Sequence, residues 1–123
     1  SASGRYTNED IVDWDKRHPG LMLAMTTVLI VRGTVEECLI GHAEKYKVIV
    51  PAIVRARKWD QMIATRFDED LGEFTLLQLR TRVMTRIAER SALGEFSEAH
   101  CVDFAENVAT KRPAPEFRAF VTE

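Results

Sequence analysis

The stretch "VLIVRGTVEECLIGHAEKYKVIV", residues 28–50, decides how the chain is read. Together with the residues before it, it gives "MTTVLIVR" at 25–32, a run rich in β-branched side chains and apolar almost throughout. Such a run predicts a strand covered on both faces. Gly33 then ends the strand, and Thr34-Val35-Glu36-Glu37 matches a capping box, in which a hydroxyl and a carboxylate three residues on satisfy two orphan amides. A helix from Val35 to Tyr46 is expected, with Val35, Cys38, Leu39 and Ala43 on one face, and "KVIVP" after it reads as a second strand. A strand, a helix and a strand in so short a span imply a right-handed crossover and parallel pairing.

On the N-terminal side, Asn8 caps a helix over Glu9 to Lys16, which His18-Pro19-Gly20 stops. On the C-terminal side, Pro51 opens a helix running to Phe67, and Asp68-Glu69-Asp70 with Gly72 forms an acidic loop. Leu76, Leu79, Val83, Met84, Ile87 and Ala88 recur at helical spacing within Glu73 to Arg90. Ser97 caps a further helix with Cys101, Phe104, Ala105 and Val108 at i, i+3, i+4 and i+7, "KRPAP" breaks it, and "FRAFVTE" alternates as a terminal strand does. The expected fold class is α/β: one domain over residues 1–123, residues 1–7 frayed, with a small, at least partly parallel sheet flanked by helices.

At 123 residues the chain suits a single core, and 46% hydrophobic with 29% charged residues is the composition of a globular protein rather than a disordered one. A net charge of -2 excludes a protein that coats nucleic acid by bulk positive potential, so any basic face must be local. Two cysteines are too few for a disulfide-dense secreted scaffold, which points to a reducing compartment, the cytoplasm or a virion interior, and not to secretion. The longest uncharged run, Leu21 to Val31, is about half of what a membrane-spanning helix needs.

The strand, Gly turn, acidic helix start and second strand of residues 28–50 resemble the first half of a BRCT domain. That resemblance implies a parallel sheet flanked by helices and, in the phosphate-recognising members, an anion held by a hydroxyl residue and a Gly after the first strand with a Lys from a later helix. Gly33 matches by position and Lys58 stands for the Lys, while Arg32 occupies the hydroxyl position; the paired glycines before the second strand are replaced by Ala43-Glu44-Lys45-Tyr46-Lys47. As a whole, and through no single motif, the chain also resembles the procapsid assembly and packaging factor of the segmented double-stranded RNA bacteriophages, the cystoviruses. This implies a non-enzymatic protein that associates with a polymerase or capsid component and with RNA.

Read for chemistry, Arg32, Gly33 and Thr34 form an anion-site candidate, combining a helix N-terminus, a hydroxyl and a guanidinium. Arg82, Arg86 and Arg90 fall in one band beside the apolar face of their helix, and Arg55, Arg57 and Lys58 cluster on the preceding one, so both rows are candidates for phosphate contact. The competing reading is a solvated face paired with Glu89 and Asp68 to Asp70. Arg80 lies near the middle of the apolar face, where it must be paired or meet a partner surface.

Cys38, His42, His100 and Cys101 lack a zinc-ligand spacing, and Cys101 with His100 and Asp103 fails as a nucleophile set because Cys101 faces the apolar stripe. No glycine-rich phosphate loop or dinucleotide fingerprint is present. The expectation is a non-catalytic binding or assembly protein without metal or cofactor, self-associating as a dimer, with RNA or phosphate contacts and no membrane. A phosphate-dependent nucleic-acid-binding or regulatory module is the alternative, and a small enzyme using the acidic loop 68–70 a third.

Overall fold

The computed structural model describes residues 7–71 and 73–123, and among them there are six α-helices, one 3-10 turn and no strand. The α/β expectation and the BRCT-like unit are therefore corrected: the protein is a helical bundle. Residues 25–32 lie in the middle of α2, Leu21–Gly41, and "KVIVP" lies in the first turns of α3, Tyr46–Leu71. The reason is burial. Helix α2 packs against α3, the helix Glu73–Ala92 (α4), the helix Glu98–Thr110 (α5) and the short helix Pro115–Arg118 (α6). A helix covered on several sides is apolar on several sides and loses its 3.6-residue stripe, so in sequence it looks like a strand covered on both faces.

Gly33 is part of this packing rather than a turn. A Cβ there would stand 2.9 Å from Sδ of Met84 and 3.4 Å from Cγ1 of Ile87, so the missing side chain is what lets α4 come close to α2. Thr34 caps nothing; its buried hydroxyl donates to the Ile30 carbonyl one turn back at 2.7 Å, which satisfies it inside the bundle.

Helix α1, Asn8–Arg17, is capped by Thr7, not Asn8: the Thr7 hydroxyl accepts from the Asp10 amide at 3.1 Å and the Asp10 carboxylate accepts from the Thr7 amide at 2.8 Å. These bonds hold the Asp10 carboxyl below its usual range. Thr7 is thus not frayed, and the remainder of the expected frayed segment, residues 1–6, lies outside the described residues. Trp14 turns inward onto Phe67, with ring centroids 4.8 Å apart.

Gly20, at φ 82, starts α2 in the left-handed conformation that suits glycine. A 3-10 turn at Ala43–Lys45 leads into α3, whose second turn holds Pro51; the carbonyl left without a donor belongs to the exposed Lys47. Helix α3 runs past Phe67, so Asp68 and Glu69 stand exposed on its last turns instead of forming a loop; Asp70 is helical in backbone, and Gly72 lies outside the described residues. Helix α4 ends at Gly94, φ 76, where the Glu95 amide returns to the Arg90 carbonyl.

Ser97 caps α5 as its sequence predicts, accepting from the His100 amide. "FRAFVTE" is not a strand: Phe117 of α6 is fully buried against Trp59, and the tail after it runs across α3. There the Glu123 carboxylate accepts from Trp59 Nε1 at 2.8 Å and from Arg55 at 2.8 and 2.5 Å.

Cys38 and Cys101 are both fully buried, as expected of core residues, but they are joined in a disulfide between α2 and α5 across 63 residues of sequence. Read from the sequence as two core thiols, the cysteines form a bond that their count alone does not announce. Among the described residues no helix is long and apolar enough to cross a membrane.

Candidate binding groove

The bundle sorts the arginines singled out in the sequence into three environments. In the first, Asp60 of α3, 1% exposed, receives Arg32 Nη1 at 2.5 Å and Arg80 Nη2 at 2.6 Å, one guanidinium on each carboxylate oxygen. Arg32 also donates to Glu36 at 3.0 Å, and Glu36 in turn accepts from Arg57 at 3.0 Å. Burial works against the Arg32 charge, but hydrogen bonds to Asp60 and Glu36 outweigh it and raise its pKa. Three helices, α2, α3 and α4, meet on one acid. Arg80, placed by its sequence on an apolar face, is here paired inside the protein.

In the second environment Arg55 ties down the C-terminal tail. It donates to Glu123, to the Val108 carbonyl at 3.0 Å and to the Lys111 carbonyl, and its guanidinium lies 4.7 Å from the Trp59 ring centroid. Those hydrogen bonds, chiefly Arg55's, push the Glu123 carboxyl down to about 2. Lys58 stands exposed on the same helix. The anion-site trio is separated by the same packing: Arg32 holds Asp60, Gly33 meets α4, Thr34 bonds within its helix, and no helix N-terminus lies among them.

The third environment is open. Between α2 and α4 runs a groove of about 750 Å³. Met22, Thr26 and Ile30, one turn apart on α2, and Leu79, Val83 and Ile87 of α4 form its largely aliphatic floor. Arg82, Arg86 and Arg90, again one turn apart, line its α4 side, exposed, and Glu95 closes one end. Arg90 pairs with Glu95 at 2.8 Å. Arg82 and Arg86 form no ion pair with any described residue, so the pairing expected with Glu89, Asp68 and Glu69 is not made, and the side chain of Asp70 lies outside the described residues.

Searched against family models, curated proteins and solved structures, the chain matches none. The likeness to cystovirus procapsid factors therefore gains no support, and the BRCT likeness is excluded by the helical fold. The site must be read from its own geometry.

His42 is the remaining cluster-forming residue. Its Nε2 bonds the Phe96 carbonyl at 2.8 Å, and its ring, Glu44 and Glu98 bring ligand atoms within 4.8 Å of one another, with Lys45 pairing Glu98 at 3.5 Å. His100 stacks between Phe96 and Phe104, with centroids 6.0 Å from each. The disulfide removes Cys101 from any nucleophile set.

Two features escaped sequence reasoning: Asp60 and the groove floor on α2. Asp60 shares a face with Ile53, Ala56, Ile63 and Phe67, all buried, which is the signal that singled out Arg80 one helix later. The floor had no signal, because Met22, Thr26 and Ile30 form a line only if residues 21–41 are a helix.

Proposed function

We propose that the protein is a non-catalytic binding or assembly protein that holds a partner macromolecule in the groove between α2 and α4. The observation that carries this reading is the pairing of an aliphatic floor with two exposed arginines that form no ion pair with any described residue. Guanidiniums left unpaired beside apolar surface recognise an anionic partner at little cost, because no existing ion pair has to be broken first. Four arginines elsewhere on these helices are already held: Arg32 and Arg80 by Asp60, Arg57 by Glu36 and Arg55 by Glu123. The buried Cys38–Cys101 bond favours an oxidising setting over the cytoplasmic one that two cysteines suggest.

The test is a titration of the purified protein with acidic peptide, phosphopeptide, single-stranded RNA and double-stranded RNA at two salt concentrations, with molar mass followed by light scattering. Binding of any of these that Arg82→Glu with Arg86→Glu abolishes, while helix content stays constant, supports the reading. Binding indifferent to both arginines moves the working surface elsewhere. A salt-steep preference for RNA gives the nucleic-acid-binding alternative instead.

A further inference from the structure

Resting on that reading, we propose that the occupant of the α2/α4 groove is an amphipathic helix of a protein partner carrying two acidic residues one turn apart and a basic residue one turn beyond them. Three properties of the groove select it. The first is the floor. It is built from side chains of two helices, and no strand edge is present among the described residues, so an extended segment laid there finds no ladder for its amides and carbonyls. A helix satisfies its own backbone and offers an apolar stripe, the helix-in-groove mode of recognition.

The second is the charge pattern. Arg82 and Arg86 are four residues apart, which on a helix is about 6 Å along the axis, and acids at i and i+4 of an occupant repeat at the same interval. A single-chain anionic lipid brings one head group to two guanidiniums. Single-stranded RNA brings phosphates, but its bases stack on aromatic rings, and no lining residue of this groove is aromatic. The third is the end of the groove. Glu95 neutralises Arg90 and presents a carboxylate, which repels a third acid and welcomes a Lys or Arg, so the occupant's direction is fixed by charge.

The experiment uses the full oxidised chain and four probes: a helical peptide of about sixteen residues with Glu at i and i+4, Lys at i+8 and leucines on the adjoining stripe; the same peptide with Lys and Glu exchanged; oleate; and single-stranded oligo-U RNA. Affinities are read by fluorescence anisotropy of labelled peptides and RNA, and by calorimetry for oleate. The acidic peptide is expected to bind, to weaken as salt rises and to lose about tenfold or more on Arg82→Glu with Arg86→Glu. The exchanged peptide is expected to bind that double variant better than it binds the native chain. This exchange is a readout that mere damage to the fold does not produce.

Arg82/Arg86-dependent binding of RNA or oleate without binding of the acidic peptide overturns the helix proposal and leaves the groove as the working surface. Equal affinity of both peptides for the native chain also overturns it. Binding of none of the four overturns the helix proposal; the phosphopeptide and double-stranded RNA arms of the previous titration then decide whether the groove reading falls with it.

Discussion

Replacing Asp60 by Ala or Asn should be the most damaging single polar change in this protein. Its carboxylate is 1% exposed and is shared by two arginines from different helices, at 2.5 and 2.6 Å. Removing one partner of a buried ionic set costs about 3–5 kcal/mol, because the charges left behind have lost their counter-ion. The Arg32 and Arg80 side chains are 28% and 34% exposed, and Arg32 keeps Glu36, so water and that acid recover part of the loss. The lower end, about 3 kcal/mol, is the figure to expect.

With an unfolding entropy of about 2.1 cal/mol/K per residue over 123 residues, that loss lowers the melting temperature by about 12 °C. The assay is thermal and urea unfolding followed by circular dichroism. Asn nearly preserves the volume of Asp, so a loss of similar size in Asp60→Asn assigns the cost to charge and hydrogen bonding rather than to a cavity. An Asp60→Asn protein that melts within about 3 °C of the parent, a loss below 1 kcal/mol on the same scale, would refute the claim that this acid gathers α2, α3 and α4.

Other outcomes follow from the same packing. Reduction, or Cys38→Ser with Cys101→Ser, should lower stability by about 4 kcal/mol in a loop-entropy account of a 63-residue closure, measured as the difference in urea unfolding free energy with and without reductant. Gly33→Ala should stay within about 1 kcal/mol of the parent, since improved helix propensity offsets a shift of the flexible Met84, whereas Gly33→Leu should cost more than about 2 kcal/mol by forcing α4 away from α2. The Glu123 carboxyl, at about 2 when folded against an ordinary 4.5, contributes stability that is fully present above pH 4.5 and is lost as pH falls toward 2; Glu123→Gln should flatten that part of the acid-unfolding curve.

The sequence was most legible where local chemistry and packing agree. Ser97, the stripe from Leu76 to Ile87 and the stripe from Cys101 to Val108 each name a helix with one wet face, and α4 and α5 lie where those signals put them. It misled where packing overrides propensity. Val28, Ile30, Val31, Thr34 and Val35 favour strands as isolated residues, yet they sit in a helix whose neighbours cover several of its sides. Length was the arbiter available: Leu21 to Gly41 carries only Arg32, Glu36 and Glu37 as charges, and Arg32 to Glu36 is a helical i,i+4 pair. Once that span is mistaken, the Cys38–Cys101 pairing, the meeting of Arg32 with Asp60 and the α2 wall of the groove all disappear from view, since each depends on which way α2 points.

The disulfide also divides the chain mechanically. A pull on its two ends is carried through the residues up to Cys38, across the sulfur bridge, and out through the residues after Cys101. Helices α3 and α4 lie wholly inside the closed loop and are bypassed by the tension, while α6 and most of α2 lie in its path. Stretched in its oxidised form, the protein would gain no length from the residues between Cys38 and Cys101. One wall of the groove would then lie on the loaded path and the other off it.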